Sequence, residues 1–130
     1  MPHLSIEYSP GLDDKADMTA FCAAMRDAIV KAPGEFPIGG TRVRAFRADH
    51  VAVADGEGHE FLDMIFRIGA GRDLATRQAA TEALYGAAEA HLRPLIGDGS
   101  IAVSFELQVM DADVSVKRWN TIRDHMGAQS

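Results

Sequence analysis

The sequence contains a single cysteine, so no disulfide can form within the chain. Cys22 lies beside Phe21 in a segment with helical spacing, which predicts a small core residue rather than a nucleophile. No run approaches the roughly 20 apolar residues of a membrane helix, and the N-terminus lacks a signal-peptide pattern. These absences predict a cytoplasmic protein that does not associate with membranes.

Positive charge is also scarce, because 13 Lys and Arg residues stand against 19 Asp and Glu, giving a formal net charge of −6. This balance argues against nucleic acid as a partner. Ten of the 13 bases are arginines, however, and the guanidinium fork binds a planar carboxylate with paired donors. An acidic protein with this composition can still bind a small organic acid at a local arginine site.

Two kinds of cofactor site are missing from the sequence. The five histidines show no ligand spacing, so we predict no metal site. The Gly-x-Gly at 69–71 lacks the third glycine of a dinucleotide motif and the Lys-Ser/Thr of a phosphate loop. We therefore predict no bound cofactor.

The 130 residues fit one domain in which a strand–helix–strand pattern occurs twice. The first unit covers residues 1–60, with its helix at 14–31, and the second covers 61–110, with its helix at 74–95. Right-handed crossovers would place both helices on one face of a four-stranded sheet, an α/β (α+β) fold. In the extension 111–130 we predict a short strand at 114–116 and a helix from about 117 to 125.

The sheet face opposite the helices is predicted to be polar. Its members alternate with the apolar residues of the strands: His3, Ser5, Glu7, Arg42, Arg44, Asp63, Arg67, Ser104 and Glu106. Such a face is either solvated or shared between subunits, and the sequence does not decide between these two.

Pro2 follows the initiator methionine and begins the first strand. Proline is tolerated there, because the first residue of a strand need not donate a ladder hydrogen bond. If Met1 is removed, however, Pro2 carries a secondary amine, and nearby arginines with an apolar pocket would lower its pKa below about 7.7–8.0. Bonded to Met1, the same nitrogen is an amide without basicity. Since the residue after Met1 is small, we expect removal of Met1, and Pro2 is then a candidate acid–base group as well as a tolerated strand start.

The stretch IGAGRD places Arg72 at the start of the second helix, where anions are favoured. The same sequence is also consistent with an Arg72 that is only a surface charge. Together MPHLSIEYS, FPIGGTRVR, the ADG loop, IGAGR with the following Arg77-Gln78, and IAVSFEL resemble the 5-carboxymethyl-2-hydroxymuconate isomerase family of the tautomerase superfamily. The resemblance runs from Pro2 to about Lys117.

This resemblance implies a fold like that of macrophage migration inhibitory factor and a homotrimer whose sheets surround a central barrel. It implies cofactor-independent isomerisation of an unsaturated 2-hydroxy di- or tricarboxylic acid in the breakdown of homoprotocatechuate. Pro2 matches the acid–base proline of the family, and Arg42 and Arg72 match its carboxylate-binding arginines. Arg44, two residues along the same strand face as Arg42, is a further candidate.

Other functions remain open at this point. Related proteins of the superfamily tautomerise phenylpyruvate, or hydrate and dehalogenate small unsaturated acids. A non-enzymatic ferredoxin-like module would also have the order βαββαβ, and it could use Arg42 and Arg72 to bind an effector acid. A purely structural role is the third alternative.

Overall fold

The computed structural model describes residues 1–127, so the last three residues of the predicted extension lie outside it. Its strands and helices, in chain order, are β1 (His3–Tyr8), α1 (Met18–Lys31), β2 (Arg42–Arg47), β3 (His59–Ile68), α2 (Leu74–Ile96) and β4 (Ser100–Val109). The predicted start of the first helix at residue 14 is wrong, because residues 10–14 form a 3-10 helix. The α-helix begins after Asp17, whose side chain accepts a hydrogen bond from the Ala20 amide.

The sheet confirms the duplicated βαβ arrangement. Its strand order is β2-β1-β3-β4, with β1 parallel to β2, β3 parallel to β4, and the two central strands antiparallel. In a ferredoxin-like fold the parallel strands of each unit are split by another strand, whereas here they are direct neighbours. The ferredoxin-like alternative is therefore wrong.

The hydrophobic core lies between the sheet and the two helices. Leu4 and Ile6 of β1 and Met64 and Phe66 of β3 are fully buried there, as the alternation of these strands predicts. Burial of each such side chain contributes about 1.5–3 kcal/mol to folding. Because Leu4 and Ile6 lock β1 into this core, the start of the strand is held at a fixed place.

The register brings three polar side chains of the opposite face into one row. His3 is paired with Arg42 of β2 on one side and with Arg67 of β3 on the other. Directly opposed residues share a sheet face, so all three side chains lie on the face away from the helices. The row lies at the sheet edge where β1 and β2 begin and β3 ends.

The extension after β4 does not contain the predicted strand and helix. Between Met110 and Gly127 the only regular elements are single 3-10 turns at Ala112–Val114 and Arg123–His125. Val114 and Val116 are exposed because this segment pairs with no strand, and Trp119 does not cover the domain's own core, since it is 91% exposed. A short helix is marginal without a surface on which to bury its apolar face.

No helix within residues 1–127 is long and apolar enough to cross a membrane. The location in the cytoplasm stays a prediction. Cys22 is half-buried on α1 rather than fully in the core, and its burial raises the pKa of the thiol.

Candidate active site

A cleft of about 950 Å³ opens where the row Arg42–His3–Arg67 meets the segment Ser115–Asn120. The sheet edge forms one side of the cleft, and the irregular segment after β4 forms the other. Met1 also lines it, so the N-terminus of the chain reaches this space. The cleft therefore joins the start of β1 to residues more than a hundred positions away in sequence.

The charge of the cleft is opposite to that of the whole chain. Arg42, Arg67, Lys117 and Arg118 line it, and none of the chain's 19 acidic residues does. Every ion pair formed within residues 1–127 lies elsewhere and leaves these four cations without a carboxylate partner. A cleft with this electrostatic character is suited to a small polyanion.

Pro2 is buried at the start of β1, and its carbonyl oxygen accepts a hydrogen bond of 3.0 Å from the Arg42 amide. This bond ties the residue to the first position of β2. Burial lowers the pKa of the adjacent Met1 α-amino group, and the charges of Lys117, Arg72 and Arg42 lower it further. An amine at this end of the chain is thus surrounded by cations.

Arg42 and Arg72 are each fixed through part of the guanidinium only. Arg42 Nη1 donates to the Gly40 carbonyl at 2.9 Å, and Arg72 Nε donates to the Gly34 carbonyl at 2.7 Å. In residues 1–127 no hydrogen bond occupies the terminal Nη groups of Arg72. These two groups have the paired geometry that binds a carboxylate.

Phe36 and Gly34 hold Arg72 in place. The Arg72 guanidinium carbon lies 4.3 Å from the centre of the Phe36 ring, in cation–π geometry. Gly34 has φ of +121°, and a Cβ there would lie 2.8 Å from the Phe36 ring. Glycine is therefore required at this turn. Arg72 does not line the cleft itself, but its charge reaches the N-terminal amine.

Arg44 points to His3 rather than into the cleft. Its Nη1 lies 3.2 Å from His3 Nδ1, and since a guanidinium can only donate, Nδ1 is the acceptor. The imidazole is then neutral with its proton on Nε2. Burial lowers the pKa of His3, and the charges of Arg44, Arg67 and Arg42 act in the same direction.

Arg42 thus lines the cleft and is bonded to the buried Pro2, whereas Arg72 lies outside the cleft and acts on the N-terminal amine through its charge, and Arg44 contacts His3. Sequence reasoning missed Lys117, because it belongs to a segment without periodicity, and did not assign a role to Arg67. The polar alternation of β3 had placed Arg67 on the correct face, but only the strand register shows that it neighbours His3. In the described part of the chain no three His, Cys, Asp or Glu side chains converge as a possible metal site.

Comparison with known proteins adds a family to this geometry. Residues 2–126 match the family model described as 5-carboxymethyl-2-hydroxymuconate isomerase. The 5-carboxymethyl-2-hydroxymuconate Delta-isomerase of Escherichia coli is 33% identical over 122 residues, which cover 92% of this chain and 95% of that protein.

Solved structures agree with this result. A crystal structure of a 5-carboxymethyl-2-hydroxymuconate delta-isomerase has a TM-score of 0.87 and 34% identity, covering 96% of this chain and 92% of the other. One from Deinococcus radiodurans R1 has a TM-score of 0.83 at 24% identity, with 97% and 95% covered.

More distant structures share the fold alone. A macrophage migration inhibitory factor from Trichinella spiralis has a TM-score of 0.62 at 10% identity, with 91% and 96% covered. A fused 4-OT protein described as a symmetric trimer has a TM-score of 0.53 at 23% identity, with 88% and 94% covered.

Proposed function

Since the chain belongs to the 5-carboxymethyl-2-hydroxymuconate isomerase family, we propose that Pro2, freed by removal of Met1, is the acid–base group of a cofactor-independent isomerase. The isomerase type follows from the family. The roles of individual residues, the pathway of homoprotocatechuate breakdown and the trimer are our proposals.

The reaction moves one proton along a dienol. The Pro2 nitrogen takes the proton of the 2-hydroxyl group, the 2-oxo group forms, and the C2=C3 and C4=C5 double bonds become one C3=C4 double bond. The same nitrogen then delivers the proton to C5, so the product is an isomer and no co-reactant is consumed. A base whose pKa is near neutral suits both halves of this transfer.

Arg42 and Arg72 bind substrate carboxylates and stabilise negative charge as it spreads over the conjugated oxygens. Their anchoring by backbone carbonyls supports this role, because the guanidinium groups are positioned before substrate arrives. Arg44 contributes through His3, whose neutral imidazole it orients on the cleft wall. Arg44 is therefore proposed as a residue that positions His3.

One observation carries this proposal. The chain as a whole is acidic, yet in the part that the structure describes the cleft at its N-terminus is lined by no acidic residue. The four cations of the cleft have no carboxylate partner within residues 1–127, and neither the solubility of the protein nor the packing of the strand ends requires such a group. A polycarboxylate substrate that must meet the N-terminal amine accounts for both features.

The proposed trimer is supported by the exposed polar sheet face and by apolar side chains that the single chain leaves in water. Val114, Val116 and Trp119 of the extension are 80%, 75% and 91% exposed. Apolar side chains grouped in this way are typical of a protein–protein interface.

The experiment is a spectrophotometric assay of 5-carboxymethyl-2-hydroxymuconate, using protein whose N-terminus has been defined by intact mass. We expect enzyme-dependent loss of the dienol with saturation kinetics and without added metal or cofactor. Failure of the Met-free protein to accelerate the conversion over buffer would contradict the proposal. Phenylpyruvate under the same conditions tests the other tautomerase activity.

A further inference from the structure

We propose that Arg67 and Lys117 form a third carboxylate subsite, which selects a tricarboxylate substrate over a dicarboxylate that lacks the third acid group. This inference rests on the proposed function, because it concerns the same cleft. It goes further in assigning a specificity role to two residues outside the pair Arg42 and Arg72.

In the row Arg42–His3–Arg67 the two arginines are separated by a strand, so each can contact a different acid group. Arg42 and Arg67 lie on β2 and β3, with β1 and His3 between them. Since neighbouring strands are about 4.8 Å apart, the two backbones are separated by about 10 Å. Arg67 is thus placed to meet a different part of the ligand from the part that Arg42 holds.

His3 does not compete for the ligand's charge in this row. Its Nδ1 accepts from Arg44, and burial, followed by the charges of Arg44, Arg67 and Arg42, lowers the pKa of His3, so the ring is held in its neutral form. A neutral ring adds no third positive charge between the two guanidinium groups. It also leaves Nε2–H as a donor on the same sheet face.

Lys117 lines the same cleft from outside the sheet. It belongs to the segment Ser115–Asn120, and its charge lowers the pKa of the Met1 amine more than that of Arg72 or Arg42 does. Its neighbour Arg118 also lines the cleft but is not among the charges acting on that amine. Lys117 therefore lies near the reacting end of the cleft, and Arg118 is the more peripheral cation.

Neither Arg67 nor Lys117 forms an ion pair within residues 1–127. The Lys and Arg residues that do face a carboxylate there are Lys15, Arg26, Arg47 and Arg93. Two unpaired cations that line one cleft repel each other, and an anion bound between them removes that cost. The third acid group of a tricarboxylate fits this place.

The test compares two substrates that differ by one acid group, namely 5-carboxymethyl-2-hydroxymuconate and 2-hydroxymuconate. In Lys117→Met and Arg67→Gln we expect kcat/KM for the tricarboxylate to fall about 10- to 100-fold, mainly through KM, because a charge-assisted contact is lost. The dicarboxylate should change by less than about threefold. Rates are taken on the pH plateau of each variant, so that a shifted amine pKa does not enter.

Lys31→Met and Arg26→Gln are the matched controls, since both remove an exposed basic side chain of α1. They should leave both substrates unchanged. Equal losses for the two substrates in Lys117→Met and Arg67→Gln, or no loss for either, would overturn the subsite.

A binding measurement separates this inference from the proposed function. If the wild type converts neither substrate, the isomerase proposal fails, and the subsite is decided by calorimetry with propane-1,2,3-tricarboxylate and glutarate. The subsite predicts at least about tenfold tighter binding of the tricarboxylate and loss of that preference in Lys117→Met. Equal affinity of the wild type for the two acids would overturn it.

Discussion

Arg44 donates a hydrogen bond to His3 diagonally across the β1–β2 pair, with Arg44 Nη1 3.2 Å from His3 Nδ1. The contact explains why an arginine on the cleft-side face of β2 does not itself line the cleft. It also fixes the tautomer of a histidine at the centre of the row that Arg42 and Arg67 complete.

The first prediction concerns the pKa of His3. An NMR titration should give a value below the ordinary 6.5, because burial and then Arg44 disfavour the charged ring. Arg44→Met should raise the pKa toward the ordinary value, whereas Arg47→Met, which removes an exposed arginine from the same strand, should not. A His3 pKa that stays the same in Arg44→Met would contradict the assigned contact.

The same shift makes stability depend on pH. Because the folded-state pKa of His3 is lowered, the unfolded chain binds more protons as pH falls below about 6.5. The contribution of His3 to stability is fully present above the unfolded pKa and is lost as pH falls through the folded one. His3→Gln should flatten this part of the curve of unfolding free energy against pH, as measured by urea denaturation. An unchanged curve would show that His3 does not carry the effect.

The second prediction concerns Arg42 and Arg72, the arginines proposed to bind carboxylates. Arg42→Gln and Arg72→Gln should each lower kcat/KM about 10²- to 10³-fold, because each removes a charged donor from the transition state. Arg72→Lys should restore little, since an ammonium lacks the paired donors and cannot keep both the Gly34 bond and a bidentate contact. Arg93→Gln, which removes an exposed side chain of α2, is the control. Losses below about threefold would remove these residues from the site.

The third prediction concerns the pH dependence of catalysis. The amine must be unprotonated to take the 2-hydroxyl proton, so kcat/KM should rise with pH and level off. Since burial, Lys117, Arg72 and Arg42 lower the pKa of the α-amino group at this end of the chain, we expect the midpoint below about 7.7–8.0. Lys117→Met should move the midpoint upward, while Lys31→Met should not. A midpoint that stays the same in Lys117→Met would contradict the placement of the amine.

The fourth prediction concerns assembly. Trp119 is the only tryptophan, and it is 91% exposed on the single chain. Burial in a trimer should shift its fluorescence emission to shorter wavelength as protein concentration rises, in step with a mass change in analytical ultracentrifugation. Trp119→Ser should weaken the assembly. A trimer with fully solvated tryptophan emission would place the interface elsewhere.

Several features of the fold could be predicted from the sequence, because they depend on residues that are close together in the chain. Alternation placed Leu4 and Ile6 in the core, and the helix predicted at 74–95 agrees with α2. The resemblance named Pro2 and Arg42, and the structure brings them to neighbouring strands through one backbone hydrogen bond.

Other parts depended on contacts that no local pattern encodes. The strand predicted at 114–116 has alternating valines but no strand beside it, and pairing rather than alternation makes a strand. The place of Arg67 beside His3 depends on the register between β1 and β3, and that of Lys117 in the cleft depends on the path of an irregular segment. Both are long-range properties, so they became visible only with the fold.

Removal of Met1 from otherwise identical protein tests the central claim most directly. Protein made with methionine aminopeptidase inhibited keeps Met1, and later treatment with the aminopeptidase exposes Pro2 in the same sample. We predict that isomerase activity rises in proportion to the fraction of chains that intact mass shows to lack Met1, with a total gain of about 10²-fold or more. Full activity before the treatment, with Met1 present on every chain, would contradict the role of Pro2.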